Sequence, residues 1–251
     1  EKLIKSNTDE IIKFENVTFK YDDADENTLN DLSFTCKKGE TTAIIGSTGS
    51  GKSTIAGLIM RFFDVTNGKI LLKNQDIRKI TQKELREHIS YVPQTAWLFS
   101  GTIEENLKYG KESASEGELN KALQIAQSEF VMDLEKGLKS EVSQGGKNFS
   151  GGQKQRLSIA RALNKNADLY IFDDSFSALD FKTDSNLRKA LAKEMKNSAV
   201  LIIAQRINTI MNANQIVVLN DGKVVGIGTH KELMKNCEIY NEIAKSQMKE
   251  V

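Results

Sequence analysis

Ile12, Phe14, Val17 and Phe19 form short alternating apolar patterns, the spacing of a half-buried β-strand. The polar stretch Asp22–Asn27 reads as a hairpin turn, and Leu32 and Phe34 continue the sheet-like pattern. Thr41–Ile45 is a short β-branched run ending in Gly46, consistent with a buried strand. A helix is predicted to start near Lys52 with Ile55, Leu58 and Ile59 on one face.

From about Asn74 to Leu163 helical signals dominate. Thr81-Gln-Lys-Glu84 and Ser115-Glu-Gly-Glu118 both fit the capping box, in which a hydroxyl and a carboxylate satisfy each other's free helix-start amides. Strand patterns return at Asp168–Phe172, Ala199–Ala204, Gln215–Leu219 and Lys223–Gly226, with helices between the first three. Alternation of strand and helix predicts an α/β fold with a parallel sheet core. The helix-rich middle, about 85–163, reads as an inserted subdomain, and residues 1–10 as a polar lead-in.

The 251 residues suffice for one large domain or two small ones, and 39% hydrophobic with 27% charged residues is ordinary for a globular chain. Lys plus Arg is 35 against 34 for Asp plus Glu, a balance that argues against coating nucleic acid or anionic lipid. Cys36 and Cys237 have no metal-site spacing, which points to a reducing, cytosolic setting without a disulfide framework. With only His88 and His230, His-based metal sites and Ser/His/Asp chemistry are disfavoured. The longest apolar stretches, such as Ala199–Ala204, fall far short of the ~20 residues of a membrane span. The chain opens on Glu1, which suggests a piece of a longer polypeptide.

Candidate chemistry centres on Gly46-Ser47-Thr48-Gly49-Ser50-Gly51-Lys52-Ser53, with Thr54 following. This matches GxxxxGK[ST], after a strand and before a helix as the chemistry requires. Glycines let backbone amides point inward around phosphates, and the helix places its positive end there. Lys52 then reaches the β- and γ-phosphates and the Ser53 hydroxyl binds Mg²⁺. The bland alternative is a glycine-rich turn with a chance Lys-Ser. Leu169–Asp173 is an apolar strand ending in a carboxylate that can stand beside the same metal. Ser150 can cap a helix whose first turn holds Gly151, Gly152 and Gln153 and leaves its amides open, a second phosphate-binding surface. One γ-phosphate does not need two such surfaces, so the second one serves another subunit's nucleotide; an ordinary capped helix is the rival reading.

With Ser150-Gly-Gly-Gln153 in place, the chain resembles the nucleotide-binding domain of ATP-binding-cassette (ABC) transporters over nearly its whole length. The resemblance implies a P-loop core with a mixed β-sheet, an antiparallel β-subdomain near the N-terminus and a helical subdomain, with ATP and Mg²⁺ as ligands. It implies that Tyr21 stacks on adenine, that Gln94 joins the metal to the transmembrane contact, and that Ser177-Ala178-Leu179-Asp180 crosses to the opposite subunit. Trp97–Asn106 and Gly228–Leu233 look like the exporter branch. Residues 1–10 would then lead in from a transmembrane domain, with residues 11–251 as the cassette at the cytoplasmic face of the cell membrane.

The sequence departs from that pattern at three places. Asp174 stands where active cassettes carry a Glu that positions or deprotonates water, and it is one methylene shorter. A lost general base costs on the order of 10²–10⁴-fold in rate. Gln205 stands where a His contacts the γ-phosphate; Gln donates a hydrogen bond but carries no charge. Ser143-Gln144-Gly145-Gly146 replaces a Gly-Glu-Arg-Gly-like stretch, which puts the standard cross-talk with transmembrane segments in doubt. Asp174 and Gln205 change together while the binding positions stay. This resembles the degenerate-site half of a heterodimeric exporter, docked head to tail with a second cassette and lending Ser150–Gln153 to the partner's active site. The alternatives are an ordinary slow ATPase with Asp174 as base, a soluble ABC ATPase acting on nucleic acid or ribosomes, and a purely regulatory nucleotide binder.

Overall fold

The computed structural model describes residues 2–4 and 6–248; residues 1 and 5 of the polar lead-in lie outside them. Strands β1 (Glu10–Phe19) and β2 (Leu29–Lys37) form the antiparallel hairpin expected around Asp22–Asn27, closed by the Thr28 amide donating to the Phe19 carbonyl at 2.8 Å. Strand β3 (Thr41–Gly46) leads into helix α1 (Lys52–Ile59). Strands β4 (Asn67–Leu72) and β5 (Gln75–Asp76) complete a four-stranded sheet in the order β2-β1-β4-β5. Helix α2 (Gln82–Glu87) precedes β6 (Ile89–Val92).

The middle of the chain holds β7 (Gly101–Thr102), α3 (Ile103–Lys108), α4 (Glu116–Ile125), β8 (Glu141–Val142) and α5 (Gly151–Leu163). Strand β9 (Leu169–Asp173), α6 (Phe181–Glu194), β10 (Ala199–Ile203), α7 (Ile207–Ile210), β11 (Gln215–Asn220) and β12 (Lys223–Gly228) follow. Helices α8 (His230–Asn236) and α9 (Glu238–Met248) close the described chain.

The central sheet runs β12-β11-β3-β10-β9-β6, parallel except where β12 pairs with β11. It is therefore a mixed sheet, and with the antiparallel sheet it gives the α/β fold of an ABC ATPase. Its strands read as continuous apolar runs because both faces are buried. Ile44, Leu201, Ile203, Val217 and Leu219 face α1 and the antiparallel sheet, whereas Ile45, Val200, Ile202, Ile216 and Val218 face the opposite core. The period of two sends neighbours to opposite faces.

Three expectations differ from the structure. Ile89–Val92, inside the stretch read as helical, is a strand of the central sheet, paired in parallel with β9. So short an apolar run carries too few turns for periodicity to distinguish strand from helix. Helix α1 has no single apolar face: Lys52 and Thr54 through Ile59 are all buried, because the helix lies between two sheets. Of the two capping boxes, Ser115/Glu118 is complete. Thr81 accepts from the Glu84 amide, but the Glu84 carboxylate accepts from the Leu3 amide at 3.2 Å instead of closing the box.

Candidate functional site

The loop from β3 to α1 is fixed at its ends and open at its apex. A Cβ on Gly46 would stand 2.5 Å from the Leu219 carbonyl oxygen, and one on Gly51 would stand 2.5 Å from Leu29 Cδ2. Gly51 also sits at φ +95°, a left-handed backbone that glycine adopts without steric cost. At Gly49, with φ +80°, nothing lies within 4 Å. Ser47, Thr48 and Gly49 are exposed, and Ser53 faces outward at the start of α1.

Lys52 curls back under this loop. Its Nζ donates to the carbonyls of Gly46 at 2.6 Å and Ser47 at 2.8 Å. Burial pulls the ammonium below its ordinary range, opposed by the carboxylates of Asp174 and Asp173. Ser50 Oγ is buried and has no hydrogen-bond partner among the described residues. An orphaned buried hydroxyl costs free energy, and phosphate oxygens in this amide-lined loop would supply its partner. The residues present therefore fit a phosphate group.

Asp173 ends β9, two strands from β3, and is 6% exposed. Its Oδ2 accepts from the Tyr91 hydroxyl at 3.1 Å. Burial pushes its pKa up, with Asp174 adding to the rise; hydrogen bonds from Tyr91 and Ser53 and the Lys52 charge oppose it. Among the described residues no three His, Cys, Asp or Glu side chains group as a metal cage. The hard-oxygen donors at hand are the Ser53 hydroxyl, the Asp173 carboxylate and the Gln94 amide. That sparse set suits Mg²⁺, which is bound through few protein oxygens alongside phosphate and water.

Asp174 takes a left-handed backbone, φ 49°, where Asp is among the more tolerant residues. Its amide donates to the Ile203 carbonyl at 2.7 Å, and its Oδ2 accepts from Gln94 Nε2 at 2.9 Å. Burial raises its pKa, while the charges of Arg206 and Lys52 and the Gln94 hydrogen bond lower it. Lys52, Ser53, Gln94, Asp173 and Asp174 thus converge.

Gln205 is exposed just beyond β10, and its backbone carbonyl, rather than its side chain, is held, accepting from Gln247 Nε2 at 2.6 Å. Tyr21 is half-buried, with its hydroxyl 3.0 Å from Thr54 Oγ1 and its ring edge-on to Phe19 and Phe63.

Ser150 caps α5 as its sequence position suggests. Its Oγ accepts from the Gln153 amide at 3.2 Å, and Gln153 Oε1 accepts from the Ser150 amide at 3.0 Å. A Cβ on Gly151 would meet nothing within 4 Å, so the first-turn amides are open. Among the described residues no hydrogen bond joins 150–153 to 46–54. Their neighbour is instead the 177–180 loop, since a Cβ on Gly152 would lie 3.4 Å from the Ala178 carbonyl. In that loop Ser177 Oγ donates to the Asp174 carbonyl, Leu179 is buried, Ala178 is exposed and Asp180 caps α6. Gly145, one of the divergent residues 143–146, donates to the Leu98 carbonyl at 3.0 Å and lies under the Trp97 ring.

Sequence reasoning missed three residues that shape this site. Tyr91 sits in the overlooked strand β6, whose Ile-Ser-Tyr-Val alternation was the available signal. Arg206 adjoins Gln205 and donates to the Ser177 carbonyl at 2.9 Å. Gln247 had no local signal at all.

The profile of the family described as ABC transporter matches residues 29–177. The uncharacterized ABC transporter ATP-binding protein YfiB of Bacillus subtilis is 44% identical over 237 residues, covering 94% of this chain and 41% of that protein. The ATP-dependent lipid A-core flippase of Haemophilus ducreyi is 42% identical over 241 residues, covering 95% of this chain and 41% of that protein. A bacterial Atm1-family ABC exporter solved with ATP bound superposes with a TM-score of 0.92 at 37% identity, over 98% of this chain and 43% of that one. The chain thus spans less than half the length of these relatives. No helix among the described residues is long and apolar enough to cross a membrane. The chain belongs to the ABC transporter family, as an ATP-binding domain of the exporter type.

Proposed function

We propose that this chain is the degenerate-site cassette of a heterodimeric ABC exporter: it holds MgATP, hydrolyses it slowly or not at all at its own loop, and completes the partner's active site. The observation that carries this reading is the state of Asp174 beside an intact phosphate loop. Its short carboxylate is engaged by Gln94 and faces the Arg206 charge, while Gln205 brings no positive charge of its own.

In this reading the backbone amides of 47–53 and the Lys52 ammonium bind the triphosphate, and the open N-terminus of α1 adds its partial positive charge. Ser53, Asp173 and Gln94 hold Mg²⁺, which when bound neutralises β- and γ-phosphate charge. Tyr21, oriented by Thr54, Phe19 and Phe63, packs on the adenine. Ser150–Gln153 present open amides to the nucleotide of the second cassette, and Ser177–Asp180 cross that interface. The exposed rings of Phe62, Trp97, Phe99 and Tyr109, with Arg86 over Phe62 and Arg161 over Phe99, suit contact with the transmembrane domain. The cassette then works at the cytoplasmic face of the cell membrane and powers efflux.

A second reading has one observation in its favour. Burial raises Asp174, which makes its carboxylate a stronger base than an ordinary Asp, as an ordinary slow cassette would need. Coexpression with a catalytically complete cassette separates the two. Asp174→Asn leaves turnover of the pair nearly unchanged if the site is degenerate, and removes about half of it if both sites hydrolyse.

A further inference from the structure

We infer that Gln247, near the end of α9, is a positioning residue that sets Gln205 toward the nucleotide. Tyr240, Ala244 and Gln247 are spaced i, i+4, i+7, so they share one face of the helix. Tyr240 and Ala244 are fully buried in the core, and the Tyr240 hydroxyl is 2.8 Å from His230 Nδ1. That anchorage aims Gln247 at the turn between β10 and α7. There its amide group acts at both ends: Nε2 donates to the Gln205 carbonyl at 2.6 Å, and Oε1 accepts from the Ile207 amide at 2.8 Å.

The turn needs this outside support. Helix α7 is only four residues long, and its capping residue Arg206 makes no side-chain cap. Gln247 supplies the missing acceptor from a distant part of the chain, and in the same contact fixes the backbone that carries Gln205. On the other side of the turn Arg206 donates to the Ser177 carbonyl. Gln205 is therefore gripped between α9 and the 177–180 loop. A neutral amide donor at position 205 depends on geometry alone for its hold on a phosphate oxygen, since it has no charge to act over distance. Glutamine at 247 provides one donor and one acceptor at the required reach, a combination that Glu, Met and Leu lack.

This inference rests on the reading in which Gln205 faces the γ-phosphate, and the test separates the two. ATP and ADP affinities of the 251-residue chain are measured by equilibrium binding for the unmodified protein and for Gln205→Ala, Gln247→Met, Gln247→Glu and Gln205→Ala/Gln247→Met, with circular dichroism confirming the fold. Gln247→Glu keeps the acceptor for Ile207 and loses only the donor to Gln205, so it reports on Gln205 even where Gln247→Met weakens folding. The expected result is a fall of roughly three- to tenfold in ATP affinity relative to ADP for each single variant. ADP affinity stays the same, and the double variant is no worse than Gln205→Ala alone. A normal ATP-over-ADP preference in both Gln247 variants, or a parallel loss of ATP and ADP binding, overturns the positioning role while leaving Gln205 in place. A normal preference in Gln205→Ala overturns the reading of Gln205 itself and this inference with it.

Discussion

Gln94 Nε2 donates to Asp174 Oδ2 at 2.9 Å. The carboxylate that follows Asp173 is thus already partnered by the residue two positions past Val92, the end of β6. That residue opens the segment leading to Trp97 and Phe99, which project from the surface. Whatever docks on those rings is mechanically linked to Asp174 through a handful of residues. The same hydrogen bond occupies one of the lone pairs that a general base would offer to water.

If Asp174 is too short and too engaged to act, restoring the longer acid should help. Asp174→Glu combined with Gln205→His is expected to raise hydrolysis at this site by on the order of 10²-fold or more. Single-turnover release of phosphate from bound ATP measures it. An unchanged rate would place the defect elsewhere in the site.

Lys52 is the main charge inside the loop. Lys52→Ala is expected to weaken ATP binding by about 1.5–3 kcal/mol, roughly ten- to a hundredfold in Kd. Calorimetric titration reads this directly. The variant should stay folded, because the lost contacts are to carbonyls at the open loop.

Ser150→Arg should separate the two phosphate surfaces. It fills the open first turn of α5, which makes no hydrogen bond to this chain's own 46–54 loop among the described residues. ATP affinity of the isolated chain is expected to be unchanged, while turnover of the assembled pair falls close to zero. Equal loss in both assays would contradict the assignment of Ser150–Gln153 to the partner's nucleotide.

Asp173 makes a pH-dependent prediction. Burial holds its pKa above the ordinary 3.8, so the folded chain retains a proton that the unfolded chain has lost. Its contribution to stability is full below the unfolded value and is lost as pH rises through the folded one. Asp173→Asn is therefore expected to raise Tm at about pH 7, and the gain should vanish as pH falls to 3.8. A gain that is constant across the series, or a loss at neutral pH, would contradict the burial of this charge.

The phosphate loop and Ser150–Gln153 were legible in the sequence because their chemistry is local. Each is a few consecutive residues whose backbone does the work, flanked by a recognisable strand or helix start. Strand β6 was not legible: four residues between two helical stretches hold too little periodicity, and only pairing with β9 makes them a strand. The caps of α3 and α8 were visible in principle as Thr102-x-x-Glu105 and Thr229-x-x-Glu232, both complete boxes in the structure. Tyr91 meeting Asp173, and Gln247 meeting the 205–207 turn, join positions far apart in the chain. No window of sequence contains both partners, so tertiary contact alone reveals them.

The division between binding and cutting is tested most directly by ATP turnover of the purified 251-residue chain alongside its Asp174→Asn variant. The account predicts tight ATP binding with a rate near background, the same in both proteins. Brisk hydrolysis by the unmodified chain that disappears in Asp174→Asn would contradict it.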